Sequence, residues 1–214
     1  MKPKHRHWLT LAVAALAASA ALTACAPLLL GGAVVGTMVA LDRRTSGTQL
    51  EDEGIELRAA NRVREVLGER GHVNVTSYNR QVLLTGEVPT AQDKQAVDQA
   101  MGRVDNVRLL VNEMGVMANS TLAQRSSDTL ITGRSKAALV DAPDLFAGAF
   151  KIVTERGTVF LMGRVTQREA SRATDIIRTI SGVQRVVRVL EIISEEELQG
   201  MQPQRARPAA SAAR

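Results

Sequence analysis

The sequence predicts an α+β fold of two tandem αββαβ units, each a three-stranded mixed sheet packed on two helices. Three observations carry this. Val82-Leu83-Leu84-Thr85-Gly86-Glu87-Val88 is echoed by Val159-Phe160-Leu161-Met162-Gly163-Arg164-Val165, so that Val82 falls on Val159 and Val88 on Val165. A repeat at that distance is one folding unit used twice. Upstream the offset holds, with Val73-Asn74-Val75 falling on Phe150-Lys151-Ile152, and Asn79-Arg80 and Arg156-Gly157 as the turns of two hairpins. Downstream it shortens by one, because Pro89 is extra in the first copy: Thr90 falls on Thr166, Asp93 on Glu169 and Met101 on Ile177.

Composition bounds the function classes. A chain of 214 residues, 45% hydrophobic and 23% charged, suits two small domains of roughly 70 residues each. Aromatic residues are only 2%, so the cores must be aliphatic. The formal charge is +5, but without Lys2, Lys4 and Arg6 it is 24 basic against 22 acidic residues, too balanced to argue for nucleic acid. One cysteine gives no disulfide framework and no metal-binding cluster.

Residues 1–24 have the form of a secretory signal, with a basic start at Lys2, Lys4 and Arg6 and an uncharged apolar run from Trp8 to Leu22. Leu22-Thr23-Ala24-Cys25 resembles a bacterial lipobox, in which the cysteine is acylated and becomes the new N-terminus. A covalent lipid on Cys25 is then the only non-protein group expected, with no cofactor. The competing reading is an uncleaved membrane anchor, but Ala26-Pro27 and Gly31-Gly32 interrupt the apolar run where a spanning helix should continue. Ala26 follows the cysteine where an Asp would retain a Gram-negative lipoprotein at the inner membrane, so the resemblance implies the outer membrane, facing the periplasm. Residues 25–48 are the expected tether. Its apolar part, Leu28 to Leu41, either lies at the headgroups or docks on one of the domains, or is plain flexible linker; the residues leave these open.

The first unit spans residues 49–118. Ile55, Ala59, Val63 and Leu67 recur every four residues, an amphipathic helix stopped by Gly68 and Gly71. The hairpin follows, then a helix capped by Thr90 with Asp93 three residues on, facing inward with Val97, Met101 and Val104. Val107 to Met117 is expected as the third strand.

The second unit spans residues 119–198. Asp128 is expected to begin its first helix, with Ile131, Ser135 and Leu139 inward. Leu130 stands where the first unit has Gly54, one step off the buried stripe, so it should face solvent with Arg134 and Ala137 along the same face and Lys136 at its edge. An exposed leucine beside cations is what a surface needs to enter a headgroup layer, although a lone exposed leucine is ordinary on any protein. The second hairpin, Phe150 to Val165, leads to a helix with the box Thr166-Gln167-Arg168-Glu169, the core residues Ala173, Ile177 and Ile180, and a strand from Val183 to Ile193. Glu195 to Glu197 is expected to be a solvated acidic end, and residues 199–214 a disordered tail.

Catalytic signatures are missing. His5 and His7 lie in the signal, and His72 has no nucleophile or carboxylate fixed by spacing, so it is expected at the surface of a helix-to-strand turn. Gly86 and Gly163 are expected at strand ends, where a tight turn toward a helix accounts for them. The chain is expected not to be an enzyme.

The Val-x-Leu-x-Gly-x-Val strand, the Thr-capped helix and the closing Val-x-x-Val strand resemble the BON domain of bacterial envelope proteins, twice over residues 50–195. With the lipobox, the segment Gly36-Thr37 to Gly47-Thr48 and Val159 to Ala170, the chain resembles the dual-BON outer-membrane lipoproteins. That resemblance implies a non-catalytic protein that binds anionic phospholipid, phosphatidylglycerol or cardiolipin, through the first helix of the second domain. Carried onto this sequence, the lipid-facing residues are Leu130, Gly133, Arg134, Lys136 and Ala137; related sequences can carry tryptophan at the position of Leu130. It also implies support of outer-membrane integrity, action at the division site, and the β-barrel assembly machinery as a partner. The alternative is a periplasmic adaptor that binds protein partners, such as that machinery, without direct lipid readout.

Overall fold

The computed structural model of the chain describes residues 42–201. The first unit runs α1 (Ser46–Leu67), β1 (His72–Tyr78), β2 (Gln81–Val88), α2 (Ala91–Met101), β3 (Leu109–Asn112) and β4 (Gly115–Val116). The second runs α3 (Leu122–Val140), β5 (Phe150–Glu155), β6 (Thr158–Thr166), α4 (Gln167–Arg178) and β7 (Arg185–Ile193), followed by α5 (Glu195–Met201). The αββαβ order is present twice, in two mixed sheets. The expected signal segment, Cys25, the apolar stretch Leu28 to Leu41 and the residues from 202 onward lie outside the described residues.

The hairpins are antiparallel, with Tyr78 opposite Gln81 and Glu155 opposite Thr158, and each third strand runs parallel to the central one after a helical crossover. Both two-residue turns have positive φ throughout: Asn79 51°, Arg80 64°, Arg156 48° and Gly157 70°. Such mirror-image turns match the twist of the flanking strands. Their amides would be left unpaired, and a buried carboxylate on the first helix of each unit takes them. Asp52 accepts from the Asn79 and Arg80 amides, and Asp128 from those of Arg156 and Gly157. The two aspartates hold equivalent places in the repeat, so this latch belongs to the duplicated unit.

Each central strand alternates between two hydrophobic clusters. Val82, Leu84 and Val88 of β2 pack with Ile55, Ala59, Val63, Val97 and Met101 of α1 and α2, and Val159, Leu161 and Val165 of β6 pack with residues of α3 and α4. Leu83 of β2 and Phe160 and Met162 of β6 turn the other way into a third cluster with Tyr78 and Val189. The sheets therefore face each other, giving four layers: helices, sheet, sheet, helices.

Charged groups cross this interface. Glu87, with no exposed surface, accepts from Arg156 Nε and from the Ser120 amide, and Lys151 Nζ donates to Glu56. Arg43 makes a two-pronged pair with Glu169, each contact 2.7 Å, and stacks over Phe146; the next residue, Arg44, pairs with Asp52 at 2.7 Å and lies 4.2 Å from the Tyr78 ring centre.

Several expectations are corrected. Helix α1 begins at Ser46, inside the stretch assigned to the tether, because Thr45 caps it and Arg43 and Arg44 are held against the folded units. Helix α3 begins at Leu122, upstream of Asp128, because Thr121 and Gln124 form a capping box. The third strand of the first unit is split where the Asn112 side chain accepts from the Met114 amide. The expected acidic end and start of the tail form α5, with Leu198 buried and Glu197 paired with Arg164. Gly86 and Gly163 lie within strands, not at their ends: a Cβ at either would come 2.0 Å from the His72 carbonyl oxygen or 2.4 Å from that of Ala149. Close approach of the neighbouring backbone, rather than a turn, explains both.

Burial opposes the charge on Glu169, but Arg43 and the Thr166 amide outweigh it and hold the carboxyl below its ordinary 4.5. A depressed carboxylate stabilises the fold above its unfolded pKa, and that contribution disappears as pH falls through the folded value. Urea midpoints should therefore drop between about pH 5 and pH 3, and Glu169→Gln should flatten that drop while lowering the midpoint at neutral pH; a parallel profile in the variant would refute it.

Candidate lipid-facing site

Helix α3 is 19 residues long, and its inward stripe is Asp128, Ile131, Ser135 and Leu139, all buried. On the opposite side, at helical spacing, lie Leu122, Ser126, Leu130, Gly133, Ala137 and Val140. The three large members are well exposed: Leu122 81%, Leu130 59% and Val140 70%. Gly133 and Ala137, exposed between them, keep the face low. Arg134 flanks it on one side and Lys136 on the other; both are exposed, and neither forms an ion pair among the described residues. The only carboxylate on α3 is Asp128, which is buried against the turn amides.

The structure thus places Leu130, Gly133, Arg134, Lys136 and Ala137 on one exposed surface. Sequence reasoning missed Leu122 and Val140, which extend the apolar face to both helix ends. The signal was available: Thr121 followed by Gln124 marks a helix start, and a helix begun there brings Leu122 and Val140, a whole number of turns apart, into line.

The equivalent helix of the first unit shows the contrast. Leu50 and Leu57 of α1 are exposed at 70% and 67%, but Glu53 and Glu65 are exposed on the same helix, and two of its three arginines are internally neutralised, as Arg58–Glu51 and Arg62–Glu65. An acidic surface is repelled by anionic headgroups; the α3 surface is not.

The model of the BON domain matches residues 56–118 and 127–194. The chain belongs to the BON-domain family. Among BON-domain relatives, the outer membrane lipoprotein DolP of Haemophilus influenzae is 36% identical over 180 residues, covering 83% of this chain and 93% of the relative. The 21 kDa hemolysin of Actinobacillus pleuropneumoniae is 31% identical over 155 residues, covering 72% and 80%. Of solved structures, the C-terminal domain of CdsD, a structural protein of the type III secretion system of Chlamydia trachomatis, is 13% identical over 67% of each chain, with a TM-score of 0.27, too low to bear on function.

No group of three metal-ligating side chains occurs among the described residues, and no helix among them is long and apolar enough to cross a membrane. His72 departs from expectation: it is half-buried at the start of β1 and lines a cavity.

Gly133 stands mid-helix with open space where a Cβ would go. Gly133→Ala should therefore raise stability by about 0.5–1 kcal/mol in urea denaturation. A lower midpoint would mean that the position is filled.

Proposed function

We propose that this chain is an outer-membrane lipoprotein, acylated at Cys25 and facing the periplasm, whose α3 surface binds anionic phospholipid such as phosphatidylglycerol or cardiolipin. The supporting observation is the face formed by Leu122, Leu130, Gly133, Ala137 and Val140, with no exposed carboxylate within α3 itself and Arg134 and Lys136 on its flanks, neither of which has an ion-pair partner among the described residues. The outer-membrane assignment is supported by the DolP relative, which covers most of both chains. The role is one of binding rather than catalysis, serving envelope integrity and acting at the division site.

The physical mechanism is avidity. Leucine and valine side chains enter the headgroup boundary while the two cations meet phosphate, each worth about 1 kcal/mol near an anionic surface. That is weak alone. An acyl anchor on the same chain makes the encounter intramolecular, at an effective concentration on the order of millimolar for a short flexible linker, so a weak surface suffices.

The free edge of β7, nine residues long with Ile192 half exposed, favours a second reading as a periplasmic adaptor for a protein partner such as the β-barrel assembly machinery.

Vesicle flotation separates the two. The chain without residues 1–41 should float with phosphatidylglycerol vesicles and not with neutral phosphatidylcholine vesicles. Leu130→Glu should abolish flotation, and Arg134→Ala with Lys136→Ala should weaken it roughly thirtyfold. Unchanged flotation of Leu130→Glu would sink the lipid reading in favour of the adaptor. Separately, Cys25→Ser in the full chain should move the protein from the membrane to the soluble envelope fraction; retention on the membrane would refute acylation at that residue.

A further inference from the structure

A cavity of about 290 Å³ lies on the flank of α3, beside the exposed face. That is near the lower end of small-molecule sites, roughly 300–1,000 Å³. Both units line it: His72 and Asn74 come from β1, Arg125, Thr129 and Thr132 from α3, and Thr154 and Glu155 from β5.

Its charges are arranged unusually. Arg125 and Glu155 line the same cavity and form no ion pair with each other. Arg125 spends only Nε, donating to Ser120 Oγ at 3.1 Å, and the rest of its guanidinium has no protein acceptor among the described residues. Glu155 receives one hydrogen bond, from Asn74 Nδ2 to Oε2 at 3.0 Å, and its other oxygen has none among the described residues. Neighbouring carboxylates offer no relief, since Asp128 is taken by the turn amides and Glu87 by Arg156. Burial pushes the Glu155 carboxyl above its usual value, with Glu87 and Asp128 adding to this, against the Asn74 hydrogen bond and the charge of Arg125. Burial and Arg125 hold the His72 imidazole below its ordinary value, against the opposing pull of Glu87.

A half-buried carboxylate that no cation contacts and a guanidinium with free donors, lining one cavity, are together complementary to a molecule carrying both charges. We infer that this cavity binds a compact zwitterion, an ammonium joined by a short chain to a phosphate, with the ammonium on Glu155 and the phosphate on Arg125. Arginine's forked donors suit phosphate oxygens, and Asn74 and the threonine hydroxyls supply uncharged polar contacts along the wall. Ethanolamine phosphate has this form: as the headgroup of phosphatidylethanolamine its two charges cancel, while the free monoester carries up to about one further negative charge at neutral pH. The site differs from the α3 face in charge logic: one takes an anionic surface, the other an ammonium and a phosphate on the same molecule.

The test is an amide-detected NMR titration of the full lipidated chain in maltoside micelles with O-phosphoethanolamine. Saturable shifts are expected at His72, Asn74, Thr154 and Glu155. Ethanolamine and glycerol 3-phosphate should each bind at least about tenfold more weakly, and Glu155→Gln and Arg125→Gln should each weaken binding by a similar factor. Equal binding of glycerol 3-phosphate, unaffected by Glu155→Gln, would overturn the zwitterion in favour of a simple anion site; absence of shifts would overturn the site itself. Adding phosphatidylethanolamine to the micelles separates the sources: the same shifts identify a lipid headgroup, and shifts with the free compound alone identify a soluble zwitterion. Flotation of Leu130→Glu reports on the α3 face alone, so either proposal can fail without the other.

Discussion

The constraint on which the structure depends is that β2 and β6 are buried on both faces. A sheet covered by helices on one side still presents the other to water, and here the second unit supplies that cover. Leu83, Phe160, Met162 and Val189 are almost entirely hidden for this reason. Polar side chains on the inner faces must then find partners within the protein, because water is excluded. Glu87 does so through Arg156 and the Ser120 amide, which come from the partner unit and the link to it. The Thr85 hydroxyl does not, and is left without a hydrogen bond. Apolar area brings the sheets together, while the placement of Glu87 and Lys151 selects one arrangement among the many that would bury similar area.

Duplication explains what is shared, and divergence shows where new properties lie. The aspartate latch on the hairpin turn is kept in both units because each mirror-image turn points two amides inward and needs an acceptor. The outward faces of α1 and α3 carry no such obligation. One carries exposed glutamates and pairs two of its arginines with them; the other carries leucine, valine and two cations outside any ion pair of the described residues. The fold is indifferent to that choice, so the difference is a matter for whatever meets the surface.

Much of the architecture was legible in the sequence because the repeat made each unit a control for the other. Helix cores at four-residue spacing, the Thr caps of α2 and α4, and the two-residue turns all follow from local chemistry, and the structure agrees. The exposure of Leu130 was legible for the same reason, since the buried stripe fixes the opposite side. What escaped depends on distant partners. Arg43 and Arg44 resemble linker until Glu169 and Asp52 are beside them. The continuous runs Val82-Leu83-Leu84 and Phe160-Leu161-Met162 were themselves a sign of strands buried on both faces, yet nothing local says that the second cover is the sister sheet. The cavity was invisible because one wall comes from β1 of the first unit and the others from α3 and β5 of the second, far apart in the chain.

Arg43 and Arg44 are adjacent residues whose α-carbons are necessarily about 3.8 Å apart, and each grips a different unit. Two bodies stapled through neighbouring positions have almost no slack between them at that point. Any pull arriving from the N-terminal side is therefore shared by both from the start, loading two ion pairs in shear before α1 can be unwound.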